Sequence, residues 1–318
     1  MNHSTTSTPL GAARRRFAAL LPPAALVLSC GLVAAKLVAQ PGGPGGPGEA
    51  PATFALSDVT ASYAFSSEGD VERNGKIGTV EISHYEFEAS FSLPAPDTWM
   101  FSSSLSWKRD EFEATGAVPL PKALEEIGLS FIALKNLSRE IGPGWSTMAM
   151  LSPSFCSDSG SISGDSFSLF GVATIGKEVS PAFSWSVGIV GMTRGDMKVL
   201  PMLGVRWSFA PRWDLAIGFP RTGVSYKFSE ALSLNAGLSM QGGTYYLSQA
   251  PAAGLGSTYL DFRETRLGVG AEYQFNPRLA VVIDGGMTLD REFDYYDRNL
   301  KLDGKSASYG RLSLRYRF

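Results

Sequence analysis

Arg311-Leu312-Ser313-Leu314-Arg315-Tyr316-Arg317-Phe318 decides how the rest of the chain is read. Every second residue is apolar or aromatic, and those between are Arg or Ser. A strand sends successive side chains to opposite faces, so this segment has one greasy face and one hydrophilic face. The same period recurs upstream. Leu279, Val281 and Ile283 alternate with Ala280, Val282 and Asp284. Leu267, Val269, Ala271, Tyr273 and Phe275 alternate with Arg266, Gly268, Gly270, Glu272 and Gln274. Trp213, Leu215 and Ile217, then Phe183, Trp185, Val187 and Ile189, repeat the pattern.

Turn signals separate these runs: Ala95-Pro96-Asp97, Gly142-Pro143-Gly144, Ala210-Pro211-Arg212 and Asn276-Pro277-Arg278. Proline cannot donate to a ladder and so belongs between strands, with Pro201 and Pro220 marking bends or tips. Strands are expected near 53–65, 76–92, 97–108, 125–138, 144–155, 167–176, 181–192, 197–208, 213–219, 223–229, 231–248, 258–275, 278–291 and 305–318. The alternation is less clean between Glu125 and Gly176, where Leu129 to Leu137 also fits a short helix.

The first residues read differently. Arg14, Arg15 and Arg16 precede an apolar run from Phe17 to about Val38, the pattern of a secretory signal. Small residues before Gln40 offer a cleavage point, with Ala35 as a second candidate. Residues 1–39 are therefore expected to be a signal peptide. A retained membrane anchor is the rival, and Lys36 with Pro22-Pro23 counts against it. Arg14-Arg15-Arg16-Phe17 also fits a twin-arginine signal, and Val27-Leu28-Ser29-Cys30 weakly fits a lipoprotein box. Residues 40–52, with Pro41-Gly42-Gly43-Pro44-Gly45-Gly46-Pro47-Gly48, read as a flexible linker too short to form a plug.

Alternation suits a soluble sandwich as well as a membrane barrel. Export, the Ser, Gly, Asn and charged residues between the apolar ones, and the topology favour the barrel. The expectation is an all-β, transmembrane, antiparallel up-and-down β-barrel over residues 53–318, with about fourteen strands, or twelve, since the class requires an even number. Counted from an inner-side N-terminus, the longer connections 66–75, 109–124, 156–166, 249–257 and 292–304 all fall on the outer side. The same count puts Phe91, Trp99, Trp145, Phe183, Trp185, Trp207, Trp213, Phe228, Tyr273, Phe275, Tyr316 and Phe318 at inner strand ends, where rings favour a membrane boundary.

Charge narrows the functional classes. Charged residues make up 18% and the formal net charge is −2, so no basic excess points to nucleic acid. Cys156 is the one cysteine of the expected mature chain, which leaves no intramolecular disulfide. His84 is its one histidine. A His/Ser pair there would suit a lipase, but no Gly-x-Ser-x-Gly elbow is present, and a polar residue near a strand end is the simpler reading. Asp290, Glu292, Asp294 and Asp297 lack a calcium-loop spacing and read as a solvated loop. No cofactor, metal or catalytic site is expected.

Lys198, Arg206, Lys227, Arg266, Arg311, Arg315 and Arg317 face the lumen in this register, as do Asp214, Glu264, Glu272, Asp284 and Asp290. Opposed charges across a pore screen solutes; paired along a wall, they tie strands together. Leu312, Leu314, Tyr316 and Phe318 resemble the terminal recognition signal of bacterial outer-membrane barrels. The partners this implies are the outer-membrane bilayer, the barrel-assembly machinery and small solutes.

Trp213-Asp214-Leu215, Phe219-Pro220, Tyr226-Lys227 and Gly242-Gly243-Thr244-Tyr245-Tyr246-Leu247 resemble a group of Gram-negative outer-membrane proteins with a domain of unknown function. The resemblance spans roughly 53–318 and implies a barrel without catalytic residues. The expected function is porin-like passage of small solutes. A structural or surface-binding barrel is the second reading, and a lipid-modifying enzyme the third.

Overall fold

The computed structural model describes residues 54–158, 160, 162–195 and 198–318; the expected signal 1–39 and linker 40–52 lie outside them. The described chain forms β1 (Ala55–Glu72), β2 (Lys76–Leu93), β3 (Trp99–Gly116), β4 (Ala123–Asn136) and β5 (Trp145–Ser157). There follow β6 (Phe167–Ser180), β7 (Phe183–Met192), β8 (Val199–Ala210), β9 (Trp213–Ile217) and β10 (Arg221–Lys227). The last are β11 (Leu232–Leu247), β12 (Thr258–Gln274), β13 (Leu279–Tyr295), β14 (Leu300–Gly304) and β15 (Ala307–Arg317).

Sequential strands pair antiparallel, and β15 returns to β1. β14 and β15 lie end to end between β13 and β1, so they fill one position in the wall. The result is a closed barrel of fourteen positions. Closure leaves no sheet edge to face hydrocarbon, where an unpaired backbone group costs several kcal/mol. The Leu129–Leu137 run lies in strand β4 and its exit rather than in a helix.

Outward-facing apolar side chains cover the wall, and none of the described residues covers them. Val269 is 65% exposed, Ile283 60% and Leu312 53%. A continuous surface of this kind is stable against acyl chains and not against water. At its inner edge the rings form a girdle: Phe54 on Phe91, Trp99 on Phe101, Trp145 on Trp185, Trp207 through Phe209 and Trp213 to Tyr226, Tyr273 on Phe275, and Tyr316 on Phe318. Lys177 and Lys135 sit over two of these indole rings, 5.2 and 5.5 Å from their centres.

Towards the outer end the strands run on past the membrane. β1, β3 and β13 continue through much of 66–75, 109–124 and 292–304, which the sequence presents as loops. Five strands do not follow. The outer end of β5 meets β11 directly, with Ser157 opposite Tyr246 in a parallel bridge. The Asp158 N–H donates to the Tyr246 carbonyl (3.2 Å), and its carboxylate accepts from the Gln249 N–H (2.9 Å). β6 to β10 are thereby bypassed, and nine positions close a narrower outer tier. Arg194, after β7, ties the two levels: it donates to the Tyr259 hydroxyl (2.7 Å) and to the Phe167 carbonyl (3.1 Å).

Candidate functional site

The lumen is built in three levels, and polarity changes at each. In the outer tier the inward residues of β2 are Val80 and Ile82, of β12 Leu260 and Phe262, and of β13 Phe293 and Tyr295. Fifteen buried apolar residues pack there into one core, which includes Cys156 from β5. Phe112 of β3 meets Phe262 and Phe293 from the opposite wall at 5.6 and 5.9 Å between ring centres. Side chains from facing walls in contact leave no axial passage at this level. A nine-strand ring is close to the width that side chains can fill. The interior is dry: burial raises the Tyr295 phenol well above its ordinary range, and its hydroxyl donates to the Pro119 carbonyl.

Beneath this cap lies a layer of buried ions. Glu264 accepts from Arg266 Nε (3.0 Å), Arg291 Nε (2.7 Å) and Gln241 (2.8 Å). Arg266 also donates to His84 Nε2 across the lumen at 2.6 Å. His84 must then carry its proton on Nδ1, which faces the Asp110 carboxylate at 2.6 Å. Each charge has an oppositely charged or hydrogen-bonded partner, without which burial would cost several kcal/mol per ion, although Arg291 Nη1 is buried without one. Among the described residues no serine hydroxyl bonds His84, whose ring nitrogens meet Asp110 and Arg266. The histidine links two walls instead.

Below the ions, within the membrane span, the lumen has two unlike walls. From β4 to β8 the inward residues Ile132, Met148, Met150, Val172, Val190 and Met202 form a second apolar cluster. Both faces of these strands are therefore apolar, which is why the alternation blurs between Glu125 and Gly176. The other wall is polar and surrounds a cavity of about 100 Å³. Arg311 pairs with Asp284 (2.8 Å) and Arg315 with Glu272 (3.1 Å) along it. Ser62 donates to Ser313 at 2.9 Å, next to the barrel seam.

Of the charges expected in the lumen, Asp284, Glu272, Arg311 and Arg315 line this one cavity. Glu264 and Arg266 lie in the ion layer above it. Arg206 and Asp214 approach to 3.8 Å near the inner end. Lys227 is exposed at the inner end of β10, and Lys198 is exposed in the turn before β8. Asp290 is not on the lumen side. Arg266 stands opposite Thr288 and Thr265 opposite Asp290, so Leu289 is an extra residue in β13. Such a bulge reverses the faces beyond it: Arg291, Phe293 and Tyr295 point inward and Asp290 outward. Glu292 pairs with Lys301 (2.6 Å), Asp297 accepts from Thr258, and no metal-holding cluster forms among the described residues. Leu312, Leu314, Tyr316 and Phe318 are exposed on the lipid side, and the Phe318 N–H donates to Ser57 at 3.1 Å.

Arg221, Glu86 and Glu88 also line the cavity and did not emerge from the sequence. The signal for the two glutamates was present, since they alternate with Tyr85, Phe87 and Ala89. Arg221 follows Phe219-Pro220, which reads as a tip, and so fell between two expected strands.

A family model described as "Domain of unknown function (DUF6268)" matches residues 52–313. No curated protein matches the chain. Among solved structures, an outer membrane channel from Pseudomonas putida F1 is 11% identical, covering 86% of this chain and 99% of its own, with a TM-score of 0.46. A Pseudomonas aeruginosa FadL homologue is 12% identical, covering 84% and 90%, with a TM-score of 0.42. The translocator domain of the autotransporter NalP from Neisseria meningitidis is 11% identical, covering 83% and 89%, with a TM-score of 0.35.

Proposed function

The chain belongs to the DUF6268 family, a domain of unknown function, and on that footing we propose that it is an outer-membrane barrel for porin-like passage of small polar solutes. One observation carries this reading: a hydrophilic wall around a cavity of about 100 Å³ lies inside the membrane-spanning level, where a barrel with no traffic could be filled with apolar side chains. The residues proposed to line the path are Arg206, Asp214, Lys227, Glu272, Asp284, Arg311 and Arg315, with Lys198, Glu264 and Arg266 on its outer side. The form described here is shut by the outer core, so passage requires that core to loosen. Export by a cleaved signal at 1–39, the flexible linker at 40–52, insertion through Leu312, Leu314, Tyr316 and Phe318, and docking on the barrel-assembly machinery belong to the same proposal.

Planar-bilayer recording on the purified barrel tests it. Brief openings separated by long closed periods are expected. A folded barrel that stays silent, and admits no small solute in liposome swelling, would overturn it. The packed outer tier favours a second reading, a barrel that holds surface loops rigidly above the membrane. A silent barrel that retains a surface interaction lost on deleting residues 249–256 would support that one.

A further inference from the structure

Four carboxylates and three guanidinium groups face the membrane-level cavity, and their pairing is incomplete. Arg311 pairs with Asp284, and Arg315 pairs with Glu272 through one of its nitrogens. Glu88 is buried and accepts from the Ser90 hydroxyl at 3.3 Å. Arg221 and Glu86 are left. They face the same space from β10 and β2, and neither has a hydrogen bond or an ion pair with any described residue. These two long side chains of opposite charge line one cavity without closing on each other; Arg221 feels Glu86 behind Arg311 and Asp284, and Glu86 itself feels Lys108 and Arg311. Two further groups on this wall, Thr60 Oγ1 and Arg315 Nε, are buried and without a partner.

We propose that this cavity is a binding subsite for a small zwitterion, an α-amino acid or a close analogue, whose carboxylate meets Arg221 and whose ammonium group meets Glu86. The inference deepens the proposed passage function by naming its solute class. A simple anion gains Arg221 but meets the carboxylate of Glu86. A simple cation gains Glu86 but meets Arg221 and, beside it, Arg311. A molecule carrying both charges is attracted at both ends, and charge-assisted bonds are the stronger kind. Thr60 Oγ1 and Arg315 Nε offer the remaining polar contacts. The small volume selects a short backbone.

Glycine, acetate and methylammonium are the probes, because the last two are the halves of the first. Binding is measured by saturation-transfer NMR and calorimetry on the barrel purified in detergent, with heat-modifiable gel mobility as the folding control. Glycine is expected to bind at least about tenfold more tightly than either half. Arg221→Gln and Glu86→Gln are each expected to weaken glycine by about tenfold, with Arg221→Gln sparing methylammonium and Glu86→Gln sparing acetate. Either half binding as well as glycine, or glycine binding unchanged in both folded variants, would overturn the proposal. No transport is needed for this readout, so a barrel that binds glycine but never conducts sinks the passage function and leaves the subsite standing.

Discussion

The membrane-spanning level and the outer tier share most of their strands and have opposite polarity. On β2, Tyr85, Phe87 and Ala89 face lipid while His84, Glu86 and Glu88 face the lumen; a few residues outward, Glu81 and Ser83 face water while Val80 and Ile82 pack inside. On β12, Leu267 and Val269 face lipid, whereas Leu260 and Phe262 fill the core. Between β2 and β3 backbone pairing is continuous through the change, whereas β13 passes it with the extra residue Leu289. Period two thus specifies the strand, and the solvent on each side decides which face is greasy. Where water lies outside, the apolar residues must turn inward, and the inside then fills.

Two large effects would break or sharpen this contrast. If the outer tier is a packed core, Phe262→Ala removes the ring that touches both Phe112 and Phe293. The expected cost is about 3–5 kcal/mol, as for other buried aromatics, confined to the outer tier. Hydrogen exchange should speed up in β2, β3, β12 and β13 beyond His84 and Glu264, and channel openings should lengthen. Unaltered exchange would show that the tier is not held by its core. In the membrane level the sensitive face is the outer one. Val269→Arg places a charge among acyl chains at an expected cost of about 2–4 kcal/mol in reversible unfolding from vesicles. Thr115→Arg, on the exposed outer surface of the upper tier, should change stability by no more than about 0.5 kcal/mol. Equal costs at the two positions would erase the boundary between the levels.

The contrast also explains what the sequence disclosed. Strand positions and closure were legible because alternation survives in both levels. The outer stretches read as loops because Glu111, Glu113, Asp294 and Lys301 stand where a uniform membrane barrel would show apolar residues. Inverted polarity looks like absence of structure when only one polarity is expected. Asp290 was misplaced for a different reason: nothing in Met287-Thr288-Leu289-Asp290 announces a bulge, and one extra residue exchanges the faces. The cavity was half legible. Arg311, Arg315, Asp284 and Glu272 follow from alternation, but which of them pair, and which groups remain unpaired, depends on approaches across the lumen that no local pattern encodes.

The smallest expected effect tests whether the outside of the upper tier behaves as an ordinary wet protein surface. Lys301 on β14 reaches Glu292 on β13 at 2.6 Å, with its own side chain 52% exposed. Its hydrogen bond to Glu292 raises the ammonium above the ordinary lysine value. A raised value in the folded state means that the pair's contribution is complete at neutral pH and is lost only as pH climbs through the lysine range. Solvent screening and the entropy of two long chains keep that contribution small. Lys301→Ala should therefore cost less than about 1 kcal/mol, and the loss should shrink further in 1 M salt, where the screening length falls to about 3 Å. A larger, salt-insensitive loss would mean that this face is covered in the assembled membrane, and the boundary between water and shelter would then have to be drawn farther out than the exposed charges of β13 and β14 place it.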